Sequence, residues 1–234
     1  MNLFYAEPEA IHDDSILIEG QESIHIAKVL RHNIGDEVFV TDGEGYRYCC
    51  KIELISKKSV TLAIQGKKFM EPTEPSLSVA IGLIKKRDRL EFAVEKITEL
   101  GAGEIIIFVG DHSEKSSLRL DRIENTVLSA MKQSLRYRLP HVRFFKSTEK
   151  LLEEVSKSGA IIVGDETEEQ NTVDSVKEMI SDVGRVTLLI GPEGGFSEKE
   201  RALFNKYNVL PCLLSTNRLR TETAAIVMTD RYNN

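Results

Sequence analysis

From about residue 77 onward the chain alternates short apolar runs with amphipathic stretches, and this rhythm admits few folds. Residues 77–84, 105–109, 142–145, 161–163, 186–190 and 209–214 are apolar runs of strand length, several of them unbroken, as in strands covered on both faces. Helices are predicted between and after them. One opens at Asp88 with Glu91 as its capping-box partner, buries Leu90, Val94 and Ile97, and stops at Gly101. Another carries Ile123, Val127, Ala130 and Met131 on one side, and more follow at 149–157, 173–182, 198–207 and 222–230. Alternation of this kind implies an α/β fold, a parallel sheet with helices on both faces.

The residues before 77 read differently. Residues 16–18, 37–40, 46–55 and 60–64 are rich in β-branched and aromatic side chains, with turn chemistry at Asp42-Gly43 and Gly45. Ile26, Val29 and Leu30 recur at helical spacing within 23–31. A small β-barrel with one helix fits this pattern. Glu71-Pro72-Thr73-Glu74-Pro75 reads as a linker, because neither proline can continue a ladder or a helix. The expected domains are therefore 1–72 and 73–234.

Composition narrows the class. A 41% hydrophobic and 29% charged chain is ordinary for a folded globular protein, and no stretch approaches the roughly 20 apolar residues of a membrane helix. The start has no basic segment and no long apolar core, so a secretory signal is not expected and a cytoplasmic location is. Cys49 and Cys50 lie side by side in an alternating run and should face opposite sides of a strand; with Cys212 they have no zinc or redox spacing, and no metal is expected. The net charge of −6 argues against a general nucleic-acid binder but leaves room for a local basic face.

Two segments carry candidate chemistry. In 186–200 an apolar strand runs into Gly191-Pro192-Glu193-Gly194-Gly195 and a helix begins at once, its start marked by Ser197 and Glu200. Such loops sit at the carboxyl ends of strands, where open sheets bind ligands. The loop has no lysine, and Glu193 repels phosphate; it suits a ligand bearing an amine, a hydroxyl or a positive charge. In 209–230 a short strand ends in Ser215-Thr216-Asn217-Arg218-Leu219-Arg220, and a helix follows with Thr221 as its expected cap. Arg218 and Arg220 flank Leu219 and share a side of an extended loop, placed to hold a phosphate or a base edge.

Together, Ile190-Gly-Pro-Glu-Gly-Gly-Phe196 and Leu219-Arg-Thr-Glu-Thr-Ala224 resemble the SPOUT class of RNA methyltransferases, in particular the ribosomal RNA small subunit methyltransferase E family. Glu99-Leu-Gly101, Gln133-Ser134 with Arg136, and Val29-Leu30-Arg31 agree with that family too, so the resemblance covers nearly the whole chain. Ser215 stands where the family usually has glycine, Asn217 where it has arginine, and His112 where an arginine is frequent. The resemblance implies a SPOUT-type sheet whose last stretch is threaded as a trefoil knot, behind an N-terminal PUA-like β-barrel that binds RNA. It implies a homodimer that uses S-adenosylmethionine to methylate N3 of one uridine in 16S ribosomal RNA. The cofactor residues it implies are Ile190, Gly191, Pro192, Glu193, Gly194, Leu214, Ser215, Leu219 and Thr221.

The chemistry of the reaction names further candidates. Uracil N3 is a poor nucleophile until its proton leaves. Arg220 or Arg218 can stabilise charge developing on the uracil oxygens, and Glu222, or water held by it, can accept the proton. For RNA, the basic candidates are Arg31, Lys85, Lys86, Arg87, Arg89, Arg136 and Arg138, the last two in a stretch that also holds His141, Arg143 and Lys146 and no acid. Tyr137 among them can stack on a base. An acidic protein with local basic strips suits the assembled subunit better than bare RNA. Three other readings remain: a related methyltransferase of transfer RNA or of a ribose hydroxyl, an RNA-binding or assembly protein with an impaired cofactor site, and an unrelated nucleotide-binding enzyme.

Overall fold

A computed structural model describes residues 2–72, 76–168, 170–180 and 183–234. Most of the expected linker, residues 73–75, and the end of the helix predicted at 173–182 lie outside the described residues. The chain divides into two compact units, one of Met1–Pro72 with Met131–Leu139, the other of Thr73–Ala130 with Pro140–Asn234.

The first unit is a five-stranded sheet. β1 (Leu3–Tyr5), β2 (Ser15–Glu19), β3 (Glu37–Thr41), β4 (Tyr46–Ile55) and β5 (Ser59–Phe69) lie in the order β1-β3-β4-β5-β2. β1 runs parallel to β3 and the other pairs are antiparallel. β1 was not foreseen, because three residues carry too little periodicity to register. Register shifts at Cys49/Cys50 and Ile52/Leu54 bend β4, and such bulges curl a sheet around its core. Cys50 is buried while Cys49 is half-exposed, as alternation requires. The expected helix appears as a short α1 (Gly20–Ile24) continued by one π turn over His25–Val29 that buries Ile26. The turn after β3 is built by Asp42, whose carboxylate accepts from the backbone N–H groups of Glu44 and Tyr46 at 2.7 and 3.2 Å and from the Tyr48 hydroxyl at 3.1 Å. Residues 131–139 return to this turn: the Tyr137 carbonyl accepts from Gly45 N–H and the Thr41 hydroxyl.

The second unit is a six-stranded parallel sheet with helices between the strands. Its elements are β6 (Ser76–Gly82), α2 (Arg87–Glu99), β7 (Glu104–Phe108), α3 (Leu120–Gln133), β8 (His141–Phe145), α4 (Thr148–Val155), β9 (Ala160–Gly164), α5 (Val173–Met179), β10 (Arg185–Ile190), α6 (Glu198–Lys206), β11 (Leu210–Cys212) and α7 (Thr221–Asn233). The order is β11-β9-β10-β6-β7-β8. β6, β7 and β10 are buried almost throughout, which explains their unbroken apolar runs. Pro211 is tolerated in β11 because that strand lies at the sheet edge, paired only with β9.

Two helix starts differ from expectation. α2 begins at Arg87 after Lys86, with no side-chain cap, so Asp88 lies inside the first turn, where it favours the helix dipole without capping. α7 begins at Thr221 itself, with Arg220 as the uncapped preceding residue. The Ser197–Glu200 capping box is present as read. Among the described residues no helix is long and apolar enough to cross a membrane.

Candidate active site

Strand order fixes where a ligand can sit. The chain builds β6, β7 and β8 outward in one direction, then returns to β9 and places β10 between β9 and β6. The reversal lies between β6 and β10, and loops leaving their carboxyl ends open a crevice there. A cavity of about 320 Å³ occupies this edge. Three loops line it: 164–166 after β9, 190–196 after β10, and 213–221 between β11 and α7, with Ala224 from the first turn of the helix.

These loops are packed too closely for side chains at certain points. A Cβ at Gly82, the end of β6, would lie 2.3 Å from the backbone nitrogen of Pro192, so β6 can receive the 190–196 loop only as glycine. A Cβ at Gly164 would meet Leu214 Cδ1 at 2.8 Å, which lets the first and third loops close on each other.

A polar frame holds the edge from behind. Glu200, 2% exposed, accepts from Ser197 N–H at 2.8 Å, from Asp111 N–H at 3.2 Å and from the Thr148 hydroxyl. The Ser197 hydroxyl bonds Asp111 at 2.6 Å, and His112 Nδ1 lies 2.9 Å from the Gly194 carbonyl. Phe196 stacks on Phe108 and meets Phe204 edge-on, anchoring the loop's far end in the core. On the other side, Arg231 of α7 donates to the Leu214 carbonyl at 2.8 Å. Ser215 turns its hydroxyl onto Asn217 N–H at 3.0 Å, stabilising its own loop.

Most of the residues expected at the site converge. Ile190, Gly191, Pro192, Glu193, Leu214, Ser215, Leu219 and Thr221 line the cavity, with Arg218 and Arg220 on its exposed rim. Gly194 does not line it; Gly195 does. Glu222 does not line it either: its side chain is 9% exposed and lies 2.9 Å from Arg89. Glu193 lines the cavity and is also bound within the protein. One of its oxygens accepts from Lys85 N–H at 3.1 Å and the other lies 3.6 Å from Arg89.

The cavity holds charges that the sequence reading missed. Asp165 pairs with Arg201 and accepts from Thr167 N–H and hydroxyl at 2.9 and 2.8 Å. Burial pushes the Asp165 carboxyl up, but these partners outweigh it and hold it below its usual value. Glu166, 60% exposed, pairs with Arg218 at 3.4 Å. The signal was Gly164-Asp165-Glu166 following a predicted strand, the same carboxyl-edge position that singled out the other two loops.

The basic candidates are largely committed within the protein. Lys85 pairs with Glu114 at 2.5 Å, Arg87 with Asp88 and Glu91, and Arg89 with the two carboxylates named above. In the first unit, Arg138 lies over the Phe69 ring at 5.1 Å and its Nε is buried with no partner among the described residues. Arg136 is partly buried, which disfavours its charged form. In the second unit, Arg143 pairs with Glu104 and Glu154. Arg31 and Lys86 are exposed and in no ion pair among the described residues. Among the described residues, no cluster of His, Cys, Asp and Glu is able to hold a metal ion.

Comparison with known proteins agrees with this architecture. Residues 71–233 match the model of the RNA methyltransferase domain, and residues 18–65 that of the RNA methyltransferase PUA domain. The ribosomal RNA small subunit methyltransferase E of Bacillus subtilis is 29% identical over 220 residues, 89% of this chain and 86% of that one. A solved structure described as a probable rRNA-methyltransferase from Porphyromonas gingivalis is 31% identical and superposes with a TM-score of 0.86 over 99% of this chain and 96% of that one. The ribosomal RNA small subunit methyltransferase E of Neisseria gonorrhoeae, solved bound to S-adenosyl methionine, shares the fold at 22% identity, with a TM-score of 0.83 over 99% of this chain and 96% of that one. Strand order, the loops that meet at the carboxyl edge of the sheet and the match over residues 71–233 lead to one assignment: the chain belongs to the RNA methyltransferase family, among relatives of ribosomal RNA small subunit methyltransferase E.

Proposed function

We propose that this protein transfers a methyl group from S-adenosylmethionine to N3 of a uridine in 16S ribosomal RNA, with the carboxyl-edge cavity as donor site. One observation carries the reading: the 190–196 and 213–221 loops, which leave different strands, line a single cavity at the carboxyl edge of the sheet. The cavity fits the donor. Its apolar wall of Ile190, Leu214 and Leu219 accepts a flat ring, glycine backbone at Gly164 and Gly191 allows close approach, and Asp165 and Glu166 favour hydroxyls and positive charge over phosphate. S-adenosylmethionine bound there supplies an electrophilic methyl carbon on a sulfonium.

The chain's own groups then have three tasks. They hold the uracil against the donor, a positioning effect worth several kcal/mol. Arg220, exposed on the rim at the start of α7, stabilises negative charge developing on the uracil oxygens as N3 loses its proton. Arg218 does the same once it exchanges Glu166 for the base, an exposed pair that costs little to open. Glu222, turned toward Arg89 and away from the cavity, is a framework carboxylate, and the N3 proton passes to water. We place RNA binding on residues 1–72, supported by the PUA-domain match, and catalysis on residues 73–234. The return of α7 across β6 and β10 supports a knotted C-terminus. A homodimer acting in the cytoplasm on the assembled subunit completes the reading, and light scattering on the purified protein tests its dimer.

Two measurements test the whole. Calorimetry should detect S-adenosylmethionine binding, lost when Gly164→Leu fills the cavity; no binding to the native protein would refute the donor site. Mass spectrometry of 16S RNA from cells lacking the protein should reveal one missing N3-methyluridine, restored by the native gene but not by Arg220→Ala. A complete set of methyluridines in those cells would refute the substrate, and a missing methyl group in transfer RNA would redirect it.

A further inference from the structure

We infer that Arg89 is a positioning residue of this cavity, the cation that sets the spacing between the Glu193 loop and the first turn of α7. The inference rests on the donor-site reading above. Arg89 itself does not line the cavity. It sits in the first turn of α2, where the helix dipole disfavours a cation, so its presence there needs carboxylates to offset it. The structure supplies two from different segments: Glu222 Oε1 lies 2.9 Å from its Nε, and Glu193 Oε1 lies 3.6 Å from a terminal nitrogen. A guanidinium reaches in two directions at once, which suits this bridging place.

Each carboxylate leads directly to the cavity. Glu193 lines it and also fixes the β6–α2 turn through Lys85 N–H. Glu222 follows Arg220 and Thr221, both lining residues, and α7 packs along α2. Glu222 is nearly buried, and its Oε2 has no partner among the described residues. Arg89 is therefore the cation that compensates this carboxylate. Remove it and Glu222 is a stranded charge that must seek water, drawing the start of α7 and Arg220 away from the donor. The sequence suggested an RNA phosphate contact for Arg89; the geometry turns it inward.

Isothermal calorimetry with S-adenosylhomocysteine on the full-length native protein, Arg89→Met, Arg89→Lys and the double variant Arg89→Met/Glu222→Gln separates these roles. Arg89→Met should weaken binding by about tenfold, because part of the cost of breaking a nearly buried pair reaches the cavity through the displaced loop and helix start. Arg89→Lys, which keeps the charge but not the two-way reach of the guanidinium, should fall between native and Arg89→Met. Glu222→Gln should recover affinity in the Arg89→Met background, because no charge is then stranded. In methyl transfer, kcat should fall while KM for RNA holds. Should Arg89→Met fail to fold while the double variant folds, the stranded charge is confirmed as the cause. Native-like binding by Arg89→Met with a raised, salt-sensitive KM for RNA would overturn the inference in favour of a phosphate contact. So would an Arg89→Lys variant as weak as Arg89→Met, or a double variant no better than the single one. No binding by the native protein would instead overturn the donor-site reading, and this inference with it.

Discussion

Glu200→Ala removes a carboxylate that joins three loops at the carboxyl edge of the sheet, and its cost follows from the partners left behind. The Thr148 hydroxyl is buried and would lose its acceptor, at about 1–2 kcal/mol. Ser197 N–H would lose its half of the capping box, about 1 kcal/mol. Asp111 N–H lies in an exposed residue, where water can replace the lost acceptor, so it adds only a few tenths. The sum is about 3 kcal/mol, which at 2–4 °C per kcal/mol for a chain of this size lowers Tm by roughly 6–12 °C. Glu200→Gln keeps an acceptor and the side-chain volume and should lose less than half of that. Thermal unfolding followed by circular dichroism reads both. An alanine variant within about 0.5 kcal/mol of native, the range of ordinary surface substitutions, would refute the account of Glu200 as the joint of this edge.

Four further outcomes are expected. Gly82→Ala forces a Cβ against the Pro192 nitrogen and should cost about 1–3 kcal/mol with a large loss of cofactor affinity; a native-like melt would show that the 190–196 loop yields freely. Because Arg201 and Thr167 hold the Asp165 carboxyl below its ordinary value, its contribution is present above about pH 4 and is lost as pH falls below that, so Asp165→Asn should flatten the fall of Tm on the acid side of about pH 4; an unchanged acid limb would count against the pair. Burial pushes the Cys50 and Cys212 thiols up to about 12, so a thiol reagent at neutral pH should label Cys49 alone in the native protein and all three cysteines in urea; fast labelling of Cys212 would mean that β11 opens. If Arg31 and Lys86 are the uncommitted members of the basic set, the slope of log affinity for RNA against log salt should be near −2, whereas phosphate contacts by all seven candidate cations would give about −5 to −6.

The parallel sheet was legible because burial on both faces leaves a physical trace in sequence. Residues 105–109 and 186–190 admit hardly any polar side chain, and the structure sets β7 and β10 in the middle of the sheet. Ser197 and Glu200 were legible for the opposite reason: a capping box is local, so spacing alone determines it. β1 and the helix starts at Arg87 and Thr221 were not, since three residues carry no period and an uncapped helix gives no start signal. Residues 131–139, the end of α3 and the segment after it, pack with the first unit, with long-range hydrogen bonds to Thr41 and Gly45 that no local pattern announces.

At the site, position was more legible than partnership. The carboxyl-edge rule located Glu193, Arg218 and Arg220, and applied to β9 it would have located Asp165 and Glu166. What it cannot give is the group each charge faces. Glu193 read as a ligand contact, Glu222 as a base and Arg89 as an RNA contact, yet these three residues meet in one cluster at distances of 2.9 and 3.6 Å. Arg89 lies more than a hundred residues from either glutamate in the chain, so their pairing is a property of the fold rather than of any segment. Many cations that looked available to RNA are likewise paired with acids of the protein, and RNA affinity must draw on the few that are not.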